Sequence, residues 1–385
     1  MKKLLYITNI PAPYRQKRFN EMAKILPGFG FDLEVLYMAK IEPNRKWEIS
    51  KESYQYDYKV YKGVHPIIGN MFAHFNPGLL IRLLKNDYNV AVVGGMGSPT
   101  HWLAPFFIRG DKKQIMSIES NLFSVNRKKG IGFKVKKKLL QKADAYQVTG
   151  KPQIDYIKFF NKETASKKPF IKLPNLIDED VFVDKVQNLR GNRKNLRKQF
   201  NVDDDMQMWV IPARLIEIKG ILPFLELLKG KNGYKLFILG DGELYDKVRN
   251  FIKKEKLNVC LVGFIQQNEV IKYYAAADLF VLPSFKDPSP LTPIEASAAK
   301  LPLLVSNRIG NKDDVVEEDV NGWSFNPGKS TKENNKLINK ILEKDNDFLK
   351  RMGEKSFLNY KKNFDTKSCL INYIKNIKYL LDSAS

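Results

Sequence analysis

The 385-residue sequence predicts an α/β protein built from two doubly wound domains. Three observations predict it. Short apolar runs alternate with helical patterns through both halves of the chain, as in a parallel sheet covered on both faces. The length exceeds one ordinary core and suits two domains of roughly 150 to 200 residues each. Hydrophobic residues make up 43% of the chain, ample for burial in both halves and too many for wholesale disorder.

The first half opens with an apolar strand at Leu4 to Thr8, a loop from Asn9 to Arg15, and an amphipathic helix containing Phe19, Met22 and Ile25. Further strands are expected at Leu33 to Met38, Val90 to Gly94, Gln114 to Ile118 and Tyr146 to Val148, with helices at Leu79 to Leu84, Trp102 to Ile108 and Pro152 to Phe160. Glu42 to Asn76 breaks the alternation. It sets Trp47, Tyr54, Tyr56, Tyr58, Tyr61, Phe72 and Phe75 among polar residues. Those rings could receive a sugar or a lipid, or simply pack beneath a long loop or hairpin.

Arg127 to Lys142 carries eight basic residues and no acidic one. As a helix it would place Ile131, Val135 and Leu139 in a stripe beside Lys134, Lys138 and Lys142. Such a segment suits an anionic membrane surface, to be met by Lys134, Lys136, Lys137 and Lys138. An ordinary surface helix with solvated lysines fits the same pattern.

Ile171 to Asn175 and the basic run Asp184 to Lys198 mark the passage between domains. The second half predicts strands at Met208 to Pro212, Lys235 to Leu239, Val259 to Val262, Leu279 to Leu282 and Pro302 to Val305. Helices are expected between them at Leu222 to Leu228, Glu243 to Lys253, Asn268 to Ala276 and Pro293 to Ala299. After Gly328 the pattern is helical, with Leu370, Tyr373, Ile374, Ile377 and Leu381 forming a stripe in the last helix. Two such sheets in one chain imply a cleft.

Composition narrows the function. The start lacks a signal-peptide core, and no apolar run approaches the roughly 20 residues of a bilayer span, so a cytoplasmic, non-integral protein is expected. Two cysteines, Cys260 and Cys369, and three scattered histidines, His65, His74 and His101, suggest neither a disulfide framework nor a metal site. A formal charge of +23 points to an anionic partner: nucleic acid, an acidic membrane face or a phosphorylated small molecule.

Chemistry concentrates in the second half. Arg214 and Lys219 follow the strand Met208 to Pro212 and could converge on a diphosphate, one as a planar fork and one as a point charge. Gly240-Asp241-Gly242 is a strand-to-helix turn whose glycines admit a ligand or simply a positive φ. Asp287 and Glu295 flank the proline-rich turn after the strand Leu279 to Leu282. Thr292, Pro293 and Glu295 also spell a capping box, with Thr292 as N-cap and Glu295 reaching back. Local pattern leaves capping and ligand binding both open.

The ordered set Arg214 with Lys219, Gly240-Asp241-Gly242, Val262-Gly263-Phe264, Ala277-Asp278, Leu282-Pro283-Ser284, Asp287, Glu295, Gly310-Asn311 and Asn321-Gly322-Trp323 closely resembles the donor half of the retaining glycosyltransferases of family four. The resemblance is strong over Met208 to Pro327. It is looser in the first half, through Asn9 to Arg15, Ala143-Asp144-Ala145 and Leu173-Pro174-Asn175. It implies a GT-B fold, two Rossmann-like domains facing across a cleft. Residues 1–180 would bind the acceptor, 181–362 the nucleotide sugar, and 363–385 would form a helix packing back toward the first domain.

By the same resemblance, Arg214 and Lys219 grip the donor diphosphate, Asp287 contacts the transferred sugar, and Glu295 contacts the ribose. Gly240 lines the donor site, Phe264 and Ile265 fall where the base is held, and the N–H groups of Leu291 and Thr292 face phosphates or sugar. Pro13, Tyr14 and Arg15 would meet the acceptor, and Glu119 stands where many members carry a histidine near the reacting centre. No metal or other cofactor is expected. The implied reaction is retaining transfer from a UDP- or GDP-linked sugar to a saccharide or lipid-linked saccharide, in bacterial surface polysaccharide synthesis at the inner membrane face.

Departures are the shorter Asp287 in place of glutamate, Pro290 and Lys300 in place of glycines, and Ala213 before the arginine. A left-handed Lys300 would cost about 1 kcal/mol. Two other readings stand beside this one. A sugar-nucleotide epimerase of the same fold would use the same donor half, and a non-catalytic nucleic-acid-binding protein would account for the charge, although no nucleic-acid module is visible.

Overall fold

The computed structural model describes residues 1–42, 54–68, 71–122, 125, 130–327 and 331–383. The chain divides into two compact units, Met1–Leu176 with Thr366–Ser385, and Ile177–Asp365. Trp47 and Arg127 to Lys129 lie outside the described residues.

In the first unit the chain runs through β1 (Lys2–Thr8), α1 (Pro13–Ile25), β2 (Phe31–Tyr37), β3 (Asp57–Val60), β4 (Ile67–Ile68), β5 (Met71–Phe72), α2 (Pro77–Leu83), β6 (Val90–Val93), α3 (Pro99–Phe107), β7 (Lys113–Ile118), α4 (Ile131–Lys142), β8 (Ala145–Val148), α5 (Lys151–Ser166) and β9 (Phe170–Lys172). The sheet order is β3-β2-β1-β6-β7-β8-β9, every neighbour parallel; β4 and β5 pair separately as an antiparallel ribbon. Buried runs such as Leu4 to Ile7 and Val90 to Val93 have no polar alternation because both faces of the sheet are covered.

The aromatic interval, where it is described, packs on this core. Tyr56 donates to or accepts from Tyr37 across 2.7 Å between hydroxyls and meets the Phe19 ring edge-on, while Tyr61 is buried. Tyr54 and Tyr58 stack on each other with centroids 4.1 Å apart. The packing alternative of the sequence reading therefore describes Tyr56 and Tyr61.

The second unit runs through α6 (Glu179–Gly191), α7 (Arg193–Gln199), β10 (Gln207–Pro212), α8 (Ile221–Glu226), β11 (Tyr234–Leu239), α9 (Tyr245–Lys254), β12 (Val259–Gly263), α10 (Gln267–Ala276), β13 (Leu279–Leu282), α11 (Thr292–Ala298), β14 (Leu303–Ser306), α12 (Lys312–Val315), β15 (Gly322–Phe325), α13 (Thr331–Leu342) and α14 (Asn346–Phe364). Its sheet is wholly parallel in the order β12-β11-β10-β13-β14-β15. The last helix, α15 (Thr366–Asp382), belongs to the first unit. Of its predicted stripe, Leu370, Tyr373, Ile374 and Ile377 are buried there and Leu381 is half-buried, and Tyr373 Oη donates to Gln147 Oε1 over 2.6 Å.

Several stretches differ from the sequence expectation: Ile171 and Lys172 of the expected passage lie in β9, which pairs with β8, and β3 falls in the irregular interval. Asp184 to Lys198 is no bare passage: it lies in α6 and α7, because Phe182, Val183 and Val186 bury one face of α6 and Leu196 does so for α7. Its arginines are part of the fold. Arg197 Nη1 donates to Asp278 Oδ2 over 2.8 Å, Arg193 pairs with Asp278 Oδ1, and Arg190 Nη1 donates to the carbonyl of Lys300 over 3.1 Å. The strand β15 was also not anticipated, since Gly322-Trp323-Ser324-Phe325 is short and contains a glycine. A Cβ on Gly322 would lie 2.3 Å from Leu303 O, so glycine is what lets β15 pair with β14.

Lys300 does adopt φ +57°, the left-handed conformation that its place at the end of α11 demands. Beside it, Asp278 is 7% exposed, accepts from Met208 N over 2.8 Å and answers two guanidinium groups. Asp278→Ala leaves Arg197 buried without its anion, and should destabilise the protein by about 3–5 kcal/mol in urea unfolding. A loss under about 1 kcal/mol would show that the cluster does not hold α7 in place.

Candidate active site in the second unit

The second sheet winds outward from β10 to β11 and β12, then returns to the other side of β10 at β13. The crevice outside the carboxyl ends of β10 and β13 is thus its topological switch point, where open α/β sheets bind ligands. The loops that flank this point carry Arg214 and Lys219 on one side and Asp287 on the other.

Backbone contacts fix both loops. A Cβ on Gly240 would fall 2.0 Å from Ala213 O, and one on Gly242 would fall 2.4 Å from Leu215 O. The Gly240-Asp241-Gly242 turn lies against the Arg214 loop, with Leu215 N donating to Asp241 O over 3.0 Å. Close approach of backbone to backbone accounts for both glycines. Across the switch point, Gly220 has φ +65° and its missing Cβ would stand 2.3 Å from Pro283 O, while Phe285 N donates to Ile218 O over 2.8 Å.

These contacts bring Lys219 Nζ to 2.5 Å from Asp287 Oδ2, both side chains being about 15% exposed. The loop after β14 holds the Asp287 turn from its far side. Gly310 N donates to Asp287 O over 2.8 Å, and Asn311 Nδ2 donates to Pro290 O over 2.9 Å. Pro290 has no N–H to offer, yet its carbonyl is the anchor of the turn.

Helix α11 does not begin as the capping box would require, since Thr292 is not its N-cap. The N-cap position is Leu291, with no side-chain cap hydrogen bond, and Thr292 is already helical. Tyr274 Oη from α10 donates to Glu295 Oε2 over 3.1 Å. Burial, and secondarily the Glu295 charge, pushes the Tyr274 phenol well above its ordinary pKa, so it stays a donor. Arg214 is exposed, and among the described residues no carboxylate lies within ion-pair distance of it. Phe264 is 60% exposed, whereas Ile265, Leu291 and Thr292 are half-buried.

Tyr274 and Arg308 escaped the sequence reading. Arg308 stands 5.9 Å over the Phe285 ring and donates to Asn326 Oδ1 over 3.2 Å, one residue before the Ile309 that bridges to Asp287. Its position just past β14 was the available signal.

In the first unit, Arg15 and Glu119, predicted separately, form one pair. Arg15 Nη2 lies 3.1 Å from both Glu119 oxygens, and Nη1 donates to Thr8 Oγ1 over 2.8 Å. The side chains of Pro13 and Tyr14 lie outside the described structure. His65 and His74, apart in sequence, meet at 2.9 Å between Nδ1 atoms, and His74 Nε2 is 3.2 Å from Glu42 Oε1.

Helix α4 buries Leu139 and leaves Ile131 83% exposed. Lys134, Lys137 and Lys138 are exposed, but Lys136 turns onto the protein and donates to Tyr156 Oη over 3.2 Å. No helix among the described residues is long and apolar enough to cross a membrane.

Known proteins resemble this chain in sequence and in fold. Residues 192–358 match the family described as glycosyl transferases group 1. An uncharacterized glycosyltransferase of Methanocaldococcus jannaschii is 28% identical over 294 residues, 70% of this chain and 68% of that protein. The alpha-monoglucosyldiacylglycerol synthase of Acholeplasma laidlawii is 32% identical over 142 residues, 34% of each. Apart from the 294-residue match, the alignments span about a third to a half of the curated relatives' length, from 30% to 52%. The solved structure of Anabaena HepE in complex with UDP covers 100% of both chains with a TM-score of 0.73 at 18% identity, a likeness of fold.

Gly220→Ala should cost more than the about 1–2 kcal/mol of a left-handed alanine, because the new methyl also meets Pro283 O. An unfolding free energy unchanged within error would show that the two loops are not held at this point.

Proposed function

We propose that the chain is a glycosyl transferase of group 1, the family that residues 192–358 match, and that it moves a sugar from a nucleoside diphosphate to an acceptor hydroxyl with retention at the anomeric carbon. The observation that carries this reading is the set of charges at the switch point. Arg214, with no carboxylate in ion-pair distance among the described residues, and Lys219, poised against Asp287, flank one crevice, with Glu295 held nearby by Tyr274.

In this proposal a UDP- or GDP-linked donor lays its diphosphate between Arg214 and Lys219. Lys219 then exchanges the Asp287 carboxylate for phosphate oxygens, and Asp287 turns to the sugar hydroxyls. Glu295, aimed by the Tyr274 hydrogen bond, accepts from the ribose, and Phe264 and Ile265 border the base. The bond from the anomeric carbon to the diphosphate oxygen breaks as the acceptor oxygen attacks from the same face. The acceptor proton passes to the departing diphosphate, whose growing negative charge the two cations stabilise. Those cations do the work that a metal ion would otherwise do.

UDP bound to Anabaena HepE supports a nucleotide donor, and the lipid-glycosylating relative from Acholeplasma laidlawii supports a lipid-linked acceptor. The acceptor would use Arg15 and Glu119, the guanidinium holding the carboxylate in one orientation. Exposed Trp102, Leu103, Phe106 and Ile131 beside Lys134, Lys137 and Lys138 favour work at an anionic membrane surface, inside the cell, in surface polysaccharide assembly.

The test is release of nucleoside diphosphate from a panel of nucleotide sugars in the presence of acceptor. Arg214→Ala and Lys219→Ala should each lower turnover by about 10²-fold, and Asp287→Glu should change the ranking of donor sugars. Full turnover in both alanine variants would refute the assignment.

A further inference from the structure

A cavity of about 630 Å³ opens in the second unit between α8 and α9. That volume is the size of a small-molecule site. Leu222, Phe224 and Leu227 from the α8 segment, and Phe325 beyond it, give it an apolar body. Nothing in the proposed transfer uses it.

The opposite wall is one face of α9. Lys247, Asn250, Phe251 and Lys254 stand at i, i+3, i+4 and i+7, so all four side chains point the same way. A lone surface helix would show solvent such a stripe. Here Phe251 is half-buried against the cavity, while Lys247, Asn250 and Lys254 are exposed at its mouth.

The charges at the mouth are not balanced. Glu226, the one carboxylate of the lining, is taken by Lys229, whose Nζ lies 2.7 Å from Glu226 Oε2 and 5.0 Å from the Phe251 ring centroid. Among the described residues, neither Lys247 nor Lys254 has a carboxylate within ion-pair distance. An apolar cavity with two uncommitted ammonium groups at its opening complements a molecule with an apolar body and an anionic head.

We propose that this cavity is a binding site for an amphipathic anion, an alkyl or acyl chain carrying a phosphate. The chain fills the space between α8 and α9, and the phosphate meets Lys247 or Lys254. The first lining residue, Gly220, directly follows Lys219, so an occupant touches the segment that carries the catalytic cation.

Decyl phosphate below its micelle concentration is the probe, titrated calorimetrically into the full chain, with decanol as the neutral control. One saturable site is expected, with decyl phosphate bound at least about tenfold more tightly than decanol, as charge-assisted contacts imply. Lys247→Gln with Lys254→Gln should remove that preference. Asn250→Trp, at an exposed position that leaves the core intact, should block both ligands by filling the mouth. Arg214→Ala should leave decyl phosphate binding unchanged while weakening UDP binding, which separates this site from the proposed donor site. Absence of saturable binding, equal affinity for decanol, or binding indifferent to Asn250→Trp would overturn the proposal.

Discussion

The ion pair between Lys219 and Asp287 joins the two loops that leave the second sheet where its winding reverses. Those loops can meet only because Gly220 lacks a side chain against Pro283 O, and because Phe285 N ties back to Ile218 O. The rest of the crevice is arranged behind that contact. Gly240 and Gly242 press one loop from the β11 side, and Gly310 and Asn311 hold the other from the β14 side. Such a pair, about 15% exposed, is neither a solvated surface bridge nor a sealed one. An anion more highly charged than a carboxylate can therefore compete for the ammonium group.

The alternation of apolar runs and helical stripes located most strands of both sheets, and the stripe in the last helix located its buried face. The residues at the strand ends were legible for a related reason. A parallel doubly wound sheet leaves few places for a ligand, and Arg214, Lys219 and Asp287 sit at one of them. Glu295 was legible as a carboxylate with two possible duties, but its partner was not. Tyr274 lies on the preceding helix, and no local pattern links it to Glu295.

What sequence could not supply was long-range pairing. Arg15 and Glu119 are 104 residues apart and read as two separate candidates until folding brings Arg15 Nη2 to both Glu119 oxygens. Arg193 and Arg197 of α7 read as part of a basic linker because their anion, Asp278, arrives from beside β13. The burial of Arg197 and the pairing of Arg193 show that some of the chain's positive charge serves the fold rather than an external partner. Lys247 and Lys254 of α9 are a different case, since they line a cavity and, among the described residues, have no carboxylate within ion-pair distance.

The account turns on whether Lys219 is shared between Asp287 and a diphosphate. Calorimetric titration of UDP or GDP, whichever the donor screen selects, into the Asp287→Ala variant measures this directly. Freed of its partner, Lys219 should bind the diphosphate more tightly than in the wild-type protein, even as transfer is lost. Weaker binding in Asp287→Ala would contradict the account, because it would make the carboxylate a support for the cation rather than its competitor.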